Sequence, residues 1–356
     1  MIAARPSPLF AFPFVFALGS ASLACSGEVL SSSTGGDPSG AGGAGGTSTS
    51  AGSSSGGSGG GGGFEPGGDV TTYEAAMGPI TVQGGAEKTQ CITMRLDNPD
   101  GAFVRRFRAQ LSQGSHHMIV YRSQASDELT TPSNCVGFSG LLQGDHPIFI
   151  AQQPDSELAL PTDEGKPVGI EILPTQMLRI EIHYLNPTPS PIEVTGKVLL
   201  DTVPLSPDVI RSDFGFWGNT KFQIAPNSSY STEVVFQPAL ADTKSFALTT
   251  HQHHLGTRMR IWHAEGADDT AAEPVADSTT WADPPLEIFS PPLEFPGGSG
   301  SMSSKGFAFQ CEWNNTTPYT VGFGEGFNDE MCFLWHYYYP SQGFHYCTNG
   351  WCKTLP

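Results

Sequence analysis

The stretch "MLRIEIHYLNPTPSPIEVTGKVLLDTV", residues 177–203, decides the fold class. Its two arms, 177–186 and 192–203, alternate in character from residue to residue, and the Pro-rich "NPTPSP" between them breaks any regular structure. A period of two is that of a β-strand, so Glu181 and His183 share one face of the first arm. The same pattern recurs at 116–122, 231–237, 244–254, 257–262, 306–313 and 331–339, with Pro and Gly clusters in between and no sustained helical period. The chain is therefore expected to be all-β and built of sandwiches. About 290 residues of such structure exceed what one sandwich needs, so two domains in tandem are expected, 64–205 and 206–356. The seam falls near "DTVPLSPDVI", residues 201–210, where a strand runs into a Pro-containing connection.

The N-terminal quarter is of another kind. Residues 1–25 carry Arg5, an apolar run from Leu9 to Leu18 and small residues before Cys25, which is the plan of an export signal. The ending "SLAC" resembles the lipobox of bacterial lipoproteins, which implies lipidation of Cys25, although Ser22 stands where that pattern prefers an aliphatic residue. Cleavage by an ordinary signal peptidase, giving a secreted protein, is the alternative. Residues 26–63 are nearly all Ser, Gly, Thr and Ala, too poor in apolar side chains to repay ordering, and read as a flexible tether. Such a coil spans about 35 Å, which suits a domain held off a membrane by a lipid anchor.

From Phe64 onward the chain has 16 basic and 33 acidic residues. That balance argues against nucleic acid as a partner and for a soluble surface. Setting Cys25 aside leaves six cysteines, Cys91, Cys135, Cys311, Cys332, Cys347 and Cys352, an even number that reads as three disulfides in an oxidising compartment. Parity alone leaves about 15 connectivities open.

Three of the ten histidines crowd into "LTTHQHHLG", residues 248–256. On a strand His251 and His253 project from one face and offer two imidazoles to one metal ion, while His254 points the other way and suits a structural role. His116 and His117 in "GSHHMIV" would point to opposite faces of a regular strand. They can serve one ion only at a strand end, at a β-bulge, or through different ring nitrogens. His183 stands alone in "EIHYLN", and Met331 in "NDEMCFLW" reads by itself as a core methionine. His146, His263, His336 and His345 have no such context.

Taken in order, "HHM", "IHY", "HQHHLG" and "DEMC" resemble the motifs of the copper type II, ascorbate-dependent monooxygenases, the family of the peptidylglycine α-hydroxylating and dopamine β-hydroxylating enzymes. The resemblance covers about residues 70–340. It implies two jelly-roll β-sandwiches, each carrying one copper, facing each other across a solvent-filled cleft. It implies two copper ions: one held by His116, His117 and His183 to pass electrons, the other by His251, His253 and Met331 to meet dioxygen. Three imidazoles suit copper in both oxidation states, and a thioether favours Cu(I). The family's reaction, with dioxygen and an ascorbate-like one-electron reductant, puts one oxygen atom into a substrate C–H bond as hydroxyl and releases the other as water. The family pattern also pairs Cys311 with Cys332, beside Met331, with Cys91–Cys135 and Cys347–Cys352 as the remaining pairs.

Substrate residues depart from the pattern. Thr249, Phe333 and Trp335 stand where peptide-amidating members place the arginine, asparagine and tyrosine that clamp a substrate carboxylate. A glycine-extended peptide is thus not expected, and an apolar small molecule lined by Phe333 and Trp335 is. Both aromatics equally suit a sandwich core. Glu181, where those members have glutamine, is placed either to attract an amine or to bond within the protein. The rival readings are a copper-sequestering surface lipoprotein and a non-catalytic jelly-roll binding module. A blue-copper carrier is disfavoured because no thiolate accompanies the His and Met cluster.

Overall fold

The computed structural model describes residues 69–297 and 301–355. The signal, Cys25 and the tether lie outside these residues. Among them the chain is almost entirely β, in five sheets with a single four-residue helical turn, Ser139–Leu142.

Every strand as far as Arg211 belongs to the first two sheets or to the small pairs at their edge, and every strand from Asp213 belongs to the others. One sheet has Thr71–Val82, Ile192–Val203, Ala102–Leu111, Lys166–Ile172 and Ile210–Arg211 in that order. Facing it is a sheet ordered Leu129–Asn134, Glu87–Arg95, Met177–Leu185, Ser115–Arg122 and His146–Ala151. Beyond residue 212 a six-stranded sheet runs Leu286–Phe295, Thr243–His251, Phe333–Tyr339, Asp213–Gly218, Phe344–Thr348 and Trp351–Leu355. It packs on a sheet centred on Met302–Asn315 and Gly256–Ala264.

The strand "FLWHYYY" explains how these layers meet, because all seven of its residues are buried. Phe333, Trp335, Tyr337 and Tyr339 join the apolar core of the first half, whereas Leu334 lies in the core of the second. Both faces of the six-stranded sheet are thus covered, which is why its central strand reads as a nearly continuous apolar run. Phe138 stacks on Phe216 at 5.6 Å, and the Tyr337 hydroxyl accepts the Ile150 N–H at 3.2 Å. Here the two halves share apolar core instead of facing one another across a solvent-filled cleft.

Three of the expected strands are shorter or divided. The segment 244–254 stops at His251, and 331–339 starts at Phe333, each being the other's last register partner. The segment 231–237 is split into Ser228–Ser231 and Val235–Leu240, both paired to Met302–Asn315 with an irregular link between. Disulfides join Cys91–Cys135, Cys311–Cys332 and Cys347–Cys352. The second closes a separation of 21 residues, a crosslink worth about 3 kcal/mol in the chain-entropy model.

Gly306 is hemmed in by backbone of the second half. A Cβ there would lie 2.0 Å from the Gln237 carbonyl oxygen and 2.6 Å from the Pro238 Cα, both backbone atoms that cannot swing aside. Gly306→Ala is expected to cost about 3 kcal/mol through overpacking, read as a shift in the denaturant midpoint. A loss below about 0.5 kcal/mol, the scale of an ordinary surface substitution, contradicts this account.

His336 lies in the same region, fully enclosed, with its Nε2 lacking any partner and its ring 4.5 Å from Trp217. Burial pushes its pKa down to about 3. The unfolded chain takes up that proton near pH 6.5, so stability from a neutral His336 is complete above 6.5 and drains as pH falls toward 3. Between pH 7 and 5 this amounts to about 2 kcal/mol at about 1.4 kcal/mol per pH unit. A His336→Gln variant is expected to lose about 2 kcal/mol less than the parent over that interval, and an unchanged pH slope rules the mechanism out.

Candidate metal centre

The first two histidines owe their geometry to a register irregularity. Strands Met177–Leu185 and Ser115–Arg122 pair antiparallel with His183 opposite His117, but Tyr184 is opposite Ser115. His116 is the additional residue of a β-bulge, and a bulge suspends the strict alternation of faces. The rings of His116 and His117 consequently sit 5.2 Å apart, centroid to centroid, and lie 5.5 and 5.3 Å from His183. The bulge is one of the conditions that the HH pair required.

The second pair arrives from the other half. His251 is the last residue of its strand, so His253 stands beyond the strand end and does not alternate with it as expected from sequence. The rings nonetheless meet at 5.3 Å, because the chain turns at His254 and Leu255 to start Gly256–Ala264. His251 then lies 5.5 Å from His116 and 5.2 Å from His117, and His253 lies 5.9 Å from His116 and 6.4 Å from His183. All five expected histidines therefore form one cluster, not two separated cups. The tightest donor set crosses the expected partition: ring nitrogens of His116, His117 and His251 all lie within 4.8 Å of one another.

Neighbouring groups hold the rings. The His251 Nδ1–H donates to Gln152 Oε1 at 2.6 Å, while the Gln152 amide nitrogen donates to Thr249 Oγ1 and the Thr250 carbonyl, tying the two halves at the centre. His183 Nε2–H donates to Glu87 at 2.9 Å, and that carboxylate also accepts the Phe327 N–H from the other half. The His253 Nδ1–H donates to the Asp329 carbonyl at 3.0 Å. Beneath the loop, buried Glu330 accepts the N–H groups of His253 and Leu255 and the Trp313 indole N–H, at 2.9, 2.7 and 2.8 Å. His254 donates to the Phe327 carbonyl and stacks on its ring at 4.2 Å, fixing the outer loop. Trp281, 5.6 Å from His116, adds an aromatic wall.

The electrostatics leave lone pairs ready for a cation. Burial, reinforced by the neighbouring imidazoles, holds His116, His117 and His251 far below the ordinary histidine value. Burial brings His253 down to about 4 despite its hydrogen bond to Asp329. The rings are thus neutral near pH 7, the form that ligates metals. His116 Nε2, His117 Nδ1 and His251 Nε2 are buried without any hydrogen-bond partner. Three orphaned polar atoms converging on one place are costly unless something binds them. Orientation of one nitrogen by a carbonyl or carboxylate, as seen at His183, His251 and His253, is the usual support of a metal-binding histidine. This donor set fits copper, which accepts imidazole in both oxidation states.

The remaining candidates fall around the cluster. Met331 is buried in the apolar core shared with Phe333 and Trp335, one residue after Glu330. Phe333 and Trp335 are 3% and 1% exposed and stack on Phe216 at 4.5 and 4.1 Å, so they are core wall and line no open pocket. Trp335 sits 6.1 Å from His251 with its indole N–H unpaired. Glu181 shares the strand with His183 but is fully buried, accepting the Phe138 N–H at 2.7 Å and the Tyr121 hydroxyl at 3.3 Å. Burial raises its pKa to about 7. It bonds within the protein, the second of its two expected options. Sequence reasoning missed Gln152, Glu87, Glu330 and Trp281. Only Glu330 carried a signal, an acid next to Met331.

No protein-family model and no curated protein matches the chain. Among solved structures, the major capsid protein P2 of bacteriophage PM2 is similar over 76% of this chain and 97% of its own, at 8% identity and a TM-score of 0.33. A structure of infectious bursal disease virus, Gx strain, covers 76% of this chain and 71% of its own at 11% identity and a TM-score of 0.14. Likenesses this weak assign neither a fold family nor a function.

Proposed function

We propose that the chain is a copper-dependent monooxygenase that hydroxylates a C–H bond of a small organic substrate. Supporting this reading is one observation above the others: five histidines from both halves converge, four of them buried and His116 half-buried, and three have buried, unpaired ring nitrogens. Copper bound there supplies one-electron chemistry with dioxygen and an external reductant of the ascorbate type. His116, His117 and His251 are the first three donors, with His183 and His253 in the same cluster, whereas Met331 is buried in the apolar core. Gln152 fixes the His251 tautomer with Nε2 turned free, and Glu87 does the corresponding work at His183 through Nε2. The Trp335 and Phe138 rings limit water on one side of the imidazoles.

In the same reading each half is a jelly-roll sandwich, the protein is exported and tethered through Cys25, and a glycine-extended peptide is not the substrate. Thr249, at the position of the family's carboxylate-binding arginine, is buried and occupied with Gln152.

Copper analysis of the protein lacking residues 1–63 tests the proposal, together with oxygen uptake in the presence of ascorbate. Two type 2 coppers per chain and uptake stimulated by an apolar C–H substrate are expected. Copper without oxygen uptake favours sequestration, and no copper at all leaves a binding module.

A further inference from the structure

The C-terminal hairpin carries another cluster of donor atoms, independent of the five histidines. Strands Phe344–Thr348 and Trp351–Leu355 are joined by Asn349 and Gly350, both with positive φ (53° and 81°), as a two-residue hairpin turn requires. Cys347 is directly opposite Cys352, and His345 is opposite Thr354. Because side chains repeat every two residues, His345 and Cys347 share a face. The His345 Nε2 lies 3.2 Å from Cys347 Sγ, and its Nδ1 lies 2.9 Å from Thr354 Oγ1. The ligand atoms of His345, Cys347 and Cys352 all fall within 4.8 Å of one another. Closing a loop five residues apart stabilises little compared with the longer crosslinks.

We propose that this hairpin is a redox-gated metal site: once Cys347–Cys352 is reduced, the two thiolates and His345 bind one thiophilic d10 cation, Zn(II) or Cu(I). Cys347 is 1% exposed and Cys352 is half-buried, so an incoming small-molecule thiolate attacks Cys352 Sγ. The S–S bond breaks, Cys347 leaves as thiolate beside the His345 Nε2, and a mixed disulfide forms on Cys352. A second thiolate attacks that mixed disulfide, freeing Cys352 and leaving as the oxidised small-molecule disulfide. Two thiols are oxidised for each protein disulfide reduced. The cation then displaces the thiol protons and takes two sulfurs and one nitrogen, with a position left for solvent or a further ligand. Thiolate and imidazole are the donors that thiophilic ions select, and a hairpin holds them without a large rearrangement.

The test uses the full chain, reduced with a phosphine and titrated with Cd(II), whose thiolate charge-transfer absorption reports sulfur ligation and is silent to the histidine cluster. Alkylation and peptide mapping show which disulfide has opened. The expected result is a band that appears only after reduction, saturates at one Cd(II) per chain and protects Cys347 and Cys352 from alkylation. Zn(II) or Cu(I) should displace the Cd(II), and the more effective competitor identifies the cation. His345→Ala keeps the disulfide and the fold, and should weaken Cd(II) binding about tenfold or more; Cys347→Ser should abolish the band. The proposal is overturned if the disulfide resists reduction in the folded protein, if the opened dithiol gives no band, or if His345→Ala binds Cd(II) as tightly as the parent.

Discussion

His251→Ala is expected to lose copper from the centre and, with it, at least a hundredfold of any copper-dependent oxygen uptake. His251 is the one donor of the tight set contributed by the second half, its Nε2 is unpaired, and its ring lies 5.5, 5.2 and 5.3 Å from those of His116, His117 and His253. Removing it breaks the tightest triad and leaves His116 and His117 with His183 of the same half and the more distant His253, a looser set expected to yield copper to a chelator. Gln152→Ala gives a graded comparison, because it removes only the acceptor that orients the His251 ring. Supporting partners of this kind are worth about 10- to 100-fold in metal affinity, so that variant should bind copper more weakly while retaining stoichiometry. Titration against a competing chelator measures both. Retention of full copper by His251→Ala would end the assignment of a centre shared between the halves.

Glu330→Ala is the substitution expected to harm the fold most. Its carboxylate receives three strong hydrogen bonds, from His253, Leu255 and the Trp313 indole, in a place that water does not reach. Truncation strands three buried donors at about 1–3 kcal/mol each, so a loss of about 4 kcal/mol is expected. In a chain of this size that corresponds to a fall in Tm of roughly 10 °C. The loop bearing His253 loses its anchor as well, so copper affinity should fall in parallel. Glu330→Gln retains an acceptor for part of the set and should lose less than half as much. A loss under about 1 kcal/mol in Glu330→Ala means that the carboxylate is not the loop's support.

The β character of the chain was readable because strand alternation is a local property. Each arm of 177–203 announces its period without reference to its partners, and both strands appear in the structure as Met177–Leu185 and Ile192–Val203. Strand ends were less legible. His251 and Phe333 end and begin their strands together because pairing across the sheet, not the residues' own preferences, sets where a ladder stops. The HH pair posed a condition that sequence could state but not settle: His116 and His117 meet only if a bulge intervenes, and the bulge exists only in the register with His183 and Tyr184.

The sequence by itself determined the kinds of donor atom available, five imidazoles in three short motifs, and the even set of cysteines that close three crosslinks. It marked 331–339 as a strand, while the burial of both its faces emerged only in the structure. Only the tertiary structure decided that the two histidine groups become one. That outcome depends on which faces of which sheets pack together, a contest among nonlocal apolar surfaces that no motif spacing records. Phe333, Trp335 and Tyr337 are buried against the first half, the space between the halves is filled, and His251 is carried to within 5.2 Å of His117.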